Sequence, residues 1–259
     1  MGKRPKKKIV LILVEGQSDM NALQVVISKL YEKVDENARV YFRTPIENDH
    51  QRGGDITSKF GISAKNINGC LAKLFIAPFL DETGLCPKDI SEIIQIVDMD
   101  GAYIPDEAIK YDPHLLEDGN EKIHYDDDCI RTGNVQKIKE RNLRKVGNIS
   151  RLAEMKTLKV RPAIIPYSVY YFSCNLDHYI HHDANLPPQE KCRRAQEYSI
   201  TCAEDLDYFL DTFLKDPDAA GDMSYEESWS FIKDEMNSLR RHTNVDLLFK
   251  KLVNDDVET

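Results

Sequence analysis

The chain's 259 residues, 41% of them hydrophobic, can bury a substantial core, and the length suggests one large domain or one domain with an appendage. A formal net charge of −9 excludes a protein that coats nucleic acid by bulk electrostatics. The longest strongly apolar run, Ile9 to Val14, is too short to cross a bilayer, and the basic leader before it lacks the apolar stretch and cleavage site of a secretion signal. The expected location is therefore the cytoplasm, without a membrane partner. The six cysteines (Cys70, Cys86, Cys129, Cys174, Cys192, Cys202) form no CxxC pair and read as reduced thiols.

In chain order, residues 1–7 form a basic leader carrying Lys3, Arg4, Lys6 and Lys7. Lys8 to Val14 (KIVLILV) is β-branched and apolar throughout, the pattern of a buried parallel strand, and it ends in the tight turn Glu15-Gly16. Ser18 is the expected N-cap of a helix over Asp19 to Val34, where Met20, Leu23, Val26, Ile27, Leu30 and Tyr31 recur at helical spacing. Arg39 to Arg43 predicts a second strand, and the polar segment Pro45 to Gly61, with Gly53-Gly54, predicts a long loop. Ser63 to Leu80 is helical by the spacing of Ile67, Leu71, Leu74 and Phe75. Glu92 to Val97 is a buried strand ending in Asp98-Met99-Asp100-Gly101.

The polar stretch Tyr103 to Asp128 predicts an insertion or lid, and Gly133 to Lys159 a helix with a cationic face. Arg131 to Arg161 holds ten Lys/Arg against Glu140 and Glu154, a stripe that is either an ordinary solvated face or a nucleic-acid contact surface. Lys137, Arg141, Arg144 and Lys145 are its candidate phosphate contacts, with Lys159 beyond them. Pro162 to Phe172 is the last strand expected, at an edge or with a bend because of Pro166, and Leu176 onward reads helical. Alternating strands and helices predict an α/β fold with a mainly parallel sheet flanked by helices. The expected organisation is a catalytic domain over 8–180, with insertions near 45–61 and 102–128, and a helical C-terminal region over 181–259.

In such a sheet, chemistry collects outside the carboxyl ends of the strands, where Glu15, Asp98 and Asp100 are expected. Clustered carboxylates repel unless a hard cation neutralises them, and oxygen-only ligation suits Mg2+ or Mn2+ acting as a Lewis acid at a phosphoryl group. A strand ending in Glu15-Gly16 (LILVEGQSD) followed by one ending in Asp98-Met99-Asp100 (IIQIVDMDG) resembles the two defining motifs of the Toprim domain. Within that domain family the chain resembles small stand-alone Toprim nucleases related to the overcoming-lysogenisation-defect family. The resemblance implies that Glu15, Asp98 and Asp100 bind one or two magnesium ions, with Glu15 serving in proton transfer. It also implies that Asp19 closes the EGxx(D/E) form of the first motif and that Asp177, after the last strand, adds a further metal ligand.

By the same resemblance the chain is a Mg-dependent nuclease acting on DNA or RNA phosphodiesters, in a context of bacterial antiviral defence where a separate ATPase or other protein controls it. No GxxxxGK[ST] occurs in the chain. The 83 residues from Glu15 to Asp98 exceed a compact Toprim unit, which makes 45–61 an insertion. Alternatives stay open. A haloacid-dehalogenase-type phosphatase would use Asp98 as nucleophile and Asp100 as general acid, leaving Glu15 unused and meeting Ala102 where Thr or Val is expected. A non-catalytic Toprim-like module would only bind a metal-bridged nucleotide. Cys174, His178 and His182, at i, i+4 and i+8, could hold zinc, and Asp177 could merely favour a helix dipole. Asp126-Asp127-Asp128 reads as a solvated acidic turn.

Overall fold

The computed structural model describes residues 8–48, 51–52, 54–117 and 120–257; the basic leader over 1–7, Gly53 and Gly119 lie outside the described residues. The chain runs β1 (Lys8–Leu13), α1 (Gln17–Val34), β2 (Ala38–Arg43), a short pair β3 (Ile46–Asn48) and β4 (Gln51–Arg52), then α2 (Ile67–Leu71) and α3 (Ala77–Thr83). A π turn, Ala72–Ile76, joins α2 to α3. Pro78 has no N–H to donate and its ring crowds the carbonyl four residues back, a strain that a widened turn accommodates. Next come β5 (Ile90–Asp98), β6 (Ile109–Tyr111), β7 (Leu116–Glu117), β8 (Asn120–Glu121), β9 (Ile123–Tyr125), β10 (Ile130–Thr132), α4 (Val135–Ala153), β11 (Thr157–Val160) and β12 (Ala163–Phe172). The helices α5 (Leu176–His181), α6 (Pro188–Glu204), α7 (Leu206–Leu214), α8 (Tyr225–Phe231) and α9 (Val245–Val257) follow.

Five strands form the central sheet in the order β11-β12-β5-β1-β2. β2, β1, β5 and β12 pair in parallel, and β11 runs antiparallel on the β12 edge. This is an α/β fold with a mostly parallel sheet and a helical C-terminal region. The sequence pattern missed β11, which makes β12 an inner strand. Pro166 is tolerated because its partner is Thr157 on the antiparallel side, and parallel pairing with β5 begins only at Tyr167. The expected N-cap also shifts: α1 starts from Gly16, whose N–H donates to the Asp19 carboxylate at 2.8 Å, and Ser18 lies inside the first turn. From within the 102–128 region, β6 and β9 join β10, just beyond it, in a small three-stranded sheet.

Because side chains alternate along a strand, β1 feeds two cores. Val10 and Ile12 pack with Ala22, Leu23, Val26 and Ile27 of α1 and with Phe209, Phe213 and Phe249 of the C-terminal helices. The three phenylalanine rings meet at centroid distances of 4.9 to 5.0 Å. Ile9, Leu11 and Leu13 face the other way, onto Ile67, Leu71, Phe75 and Phe79, with Ile149 and Leu152 of α4 and Trp229 of α8. The sheet is thus covered on both faces, and C-terminal helices contribute to both layers. No helix among the described residues is long and apolar enough to cross a membrane.

Leu11 is fully buried at the centre of the sheet. Leu11→Ala is expected to lower stability by about 2–5 kcal/mol, from lost transfer free energy plus the cavity left behind. Chemical denaturation of wild type and variant measures the difference, and a loss below ~0.5 kcal/mol would contradict this packing.

Candidate metal centre

β1 and β5 are neighbours from which the chain departs in opposite directions, β1 leading to β2 on one side and β5 being followed by β12 on the other. Ligands favour the crevice at the carboxyl ends of strands at such a reversal. Glu15 leaves β1 there, and its Oε1 accepts the backbone N–H of Asp98, the last residue of β5, at 3.1 Å. Beyond β5 the backbone turns abruptly: Asp100 has φ 50° and Gly101 φ 68°. The dihedral favours glycine at 101, and a Cβ there would also sit 2.9 Å from Ile130 Cδ1 and displace the tip of that side chain. Asp100, with its own Cβ, adopts the left-handed region at an energetic cost, as residues at functional sites often do. Its N–H donates to the Cys174 carbonyl, which fixes the turn against the end of β12.

Glu15, Asp55 and Asp100 each present a carboxylate oxygen within 4.8 Å of the other two, a partly buried trio capable of chelating a metal ion. Asp55 was not among the residues read from sequence. It arrives from the 54–62 loop, where the Gly54 N–H donates to the Glu15 carbonyl at 2.9 Å from a backbone with φ 117°. That dihedral lets the loop close onto the end of β1. The glycine pair followed by an acid, Gly53-Gly54-Asp55, was the available signal.

Lys145 stands among these acids with its side chain wholly buried. Its Nζ lies 2.6 Å from Asp100 Oδ2, 2.9 Å from Asp55 Oδ2 and 3.9 Å from Glu15 Oε1. Other residues of α4 fasten the loops that carry the acids. Arg141 donates to the Asp100 carbonyl at 2.7 Å and to Tyr125 Oη at 3.1 Å, and Tyr125 donates in turn to Asp100 Oδ1 at 3.1 Å. Asn142 donates to the Gly101 carbonyl, Arg144 to that of Ser58, and Asn148 to those of Thr57 and Ile62.

These contacts correct the reading of α4 as an outward cationic stripe. Lys145 is a buried counter-ion, Arg141 is committed to the acid loops, and Arg144 is partly so; Lys137 is exposed on the first turn. Arg131 is bound by Asp126 and Asp112, which also gives the Asp126 turn a structural task. Lys159 pairs with Ile164 near the amino end of β12, roughly 26 Å along that strand from the acids. It is therefore too far away to stabilise charge at this centre.

Asp98, Asp19 and Asp177 lie on the α5 and α6 side. Asp98 Oδ1 accepts the Leu176 N–H at 3.1 Å, and Lys191 Nζ meets Asp177 Oδ2 at 2.8 Å. Asp177 Oδ1 is buried without a hydrogen-bond partner, which is costly for a carboxylate and leaves an oxygen open to a cation. Cys174, His178 and His182 do not qualify as a metal cluster: Glu15, Asp55 and Asp100 are the one such group among the described residues.

Titration divides the acids. Burial raises Glu15 well above the usual carboxylate range, reinforced by Asp55 and only partly offset by Lys145. Burial likewise raises Asp98, with Asp19 and Asp100 adding repulsion, and lifts Asp19 to about 6 despite the Gly16 N–H. Burial opposes ionisation of Asp55 and Asp100 too, yet Lys145 prevails at both, holding Asp55 at about 2 and Asp100 below its ordinary value. Without a cation, Asp55 and Asp100 are ionised and Lys145 is charged, while Glu15, Asp98 and Asp19 hold protons more readily than in water.

No protein-family model matches the chain, and neither a curated protein nor a solved structure matches it.

The raised acids set a pH dependence for the metal-free protein. Between the unfolded value near 4 and the folded value of about 6, native Asp19 binds more proton than the unfolded chain, so stability falls as pH rises through this window. Glu15 and Asp98 act in the same direction. Asp19→Asn keeps an oxygen for the Gly16 N–H and removes the titration. Denaturant melts in chelator at about pH 4.5 and about pH 7 should show a smaller loss for the variant than for wild type. Equal losses would assign the dependence to other groups.

Proposed function

We propose that the chain is a divalent-metal-dependent nuclease of the Toprim type that hydrolyses nucleic-acid phosphodiesters. The observation that carries this reading is the convergence of Glu15, Asp55 and Asp100, from three separate segments, at the strand ends where β1 and β5 adjoin. An all-oxygen donor set suits Mg2+ or Mn2+ rather than a softer ion. Such an ion would polarise a phosphoryl oxygen and lower the pKa of a bound water. Glu15, held protonated more readily than an ordinary glutamate, is suited to exchange a proton with the attacking or leaving oxygen. Asp177, whose Oδ1 is buried without a hydrogen-bond partner, would offer one further oxygen to a cation.

Convergence of Glu15 with Asp100 also favours this reading over the phosphatase, which has no use for Glu15. In the nuclease, exposed Lys137 and the half-buried Arg144 would meet the phosphate backbone, adding to affinity without base preference. Control by a separate ATPase or other protein, in a setting of bacterial antiviral defence, belongs to the same proposal.

The test is incubation with single- and double-stranded DNA and RNA in Mg2+ or Mn2+. Wild type should cleave at least one of them, whereas Asp100→Asn and Glu15→Gln should each lose more than about a hundredfold in rate. Asp98→Asn should also reduce the rate. Full cleavage by all three variants in saturating metal would refute the mechanism. Phosphate release from a small monoester without phosphodiester cleavage would replace the nuclease by the phosphatase.

A further inference from the structure

The oxygens that a metal would need are the ones Lys145 holds. Asp55 Oδ1 is taken by the N–H and hydroxyl of Thr57, and Asp100 Oδ1 by the Tyr125 hydroxyl, while Glu15 Oε1 receives the Asp98 N–H. This leaves Asp55 Oδ2, Asp100 Oδ2 and Glu15 Oε2, and the two aspartate oxygens both face the Lys145 ammonium, at 2.9 and 2.6 Å. The ammonium carries three donors and no acceptor, so it can satisfy carboxylates but cannot share a coordination shell with a cation.

We propose that Lys145 is a built-in competitor of the metal: its ammonium holds Asp55 and Asp100 in the metal-free protein and leaves them when a divalent cation binds. This deepens the nuclease reading and rests on its metal site. A divalent ion seated on the trio with the ammonium still at hydrogen-bond distance would set three positive charges around the same oxygens in a desolvated crevice. One cation has to yield. The side chain can do so without its helix, because α4 is anchored independently by Asn142 on Gly101, Arg144 on Ser58 and Asn148 on Thr57 and Ile62. Four flexible carbons give the ammonium the reach to move. The acid loops therefore keep their positions whether or not metal is present, and metal affinity is set by competition with an internal cation.

Calorimetric titration of the full chain with Mn2+, wild type against Lys145→Met, tests the proposal. The variant keeps the length of the side chain and removes its charge. It should bind Mn2+ at least about tenfold more tightly, and its melting temperature, lower than wild type in chelator, should rise further on adding Mn2+. Equal or weaker binding by the variant, with wild type binding normally, would overturn the competition and leave the metal site intact. Absence of binding by both folded proteins would remove the site and the competition together. Should Lys145→Met not fold without metal, wild type labelled with 15N at its lysine side chains gives the answer. The solvent-shielded Lys145 ammonium signal should shift or vanish on Mg2+ saturation, and an unchanged signal with Mg2+ bound would overturn the proposal.

Discussion

The arrangement of the candidate centre depends on one buried lysine. Three carboxylates brought this close in a crevice repel one another and are poorly solvated, and the fold tolerates them because the Lys145 ammonium lies between two of them and near the third. Removing one member of such a group typically costs about 3–5 kcal/mol, since the remaining charges stay buried without compensation. The same ammonium keeps Asp55 and Asp100 ionised, so it gives the site its charge as well as its stability.

The rest of the architecture serves to place that lysine. α4 lies on the face of the sheet that Ile9, Leu11 and Leu13 line, and Ile149 and Leu152 anchor its C-terminal half in that core. From there it presents Arg141, Asn142, Lys145 and Asn148 to two loops that have no regular structure of their own. Those loops end their parent segments in conformations only small or strained residues accept, at Gly54, Asp100 and Gly101. The sheet supplies the direction of approach and α4 fixes the final position, so the acids are oriented by hydrogen bonds to backbone carbonyls as well as by charge.

Much of this was legible in the sequence, for identifiable reasons. β1 and β5 were visible because strands buried on both faces are mostly apolar, with Gln95 the one polar residue in the inner run of β5. Glu15 and Asp100 followed from the polar residues after them, whereas Asp98, expected with them, lies outside the trio. β11 escaped because a four-residue edge strand, Thr157–Val160, carries too little periodicity to register. Asp55 was hidden in a polar segment where an acid has no pattern to break; the glycine pair before it was the only signal, and the closure of Gly54 on Glu15 brings it to the site. Lys145 was misassigned to the cationic face of α4 because the charges of the helix were counted rather than placed. Ile138, Asn142, Lys145, Ile149 and Leu152 are three or four residues apart and form its buried stripe, with Asn148 beside them. A lysine inside an apolar stripe announces a buried partner, which a surface stripe of similar composition would not.

The most direct test of the central claim is crystallographic: diffraction from crystals equilibrated with Mn2+, recorded where manganese scatters anomalously. The account predicts an anomalous peak within coordination distance of the carboxylate oxygens of Glu15, Asp55 and Asp100. A fully soaked crystal with no peak there, or with manganese bound only elsewhere, would contradict it.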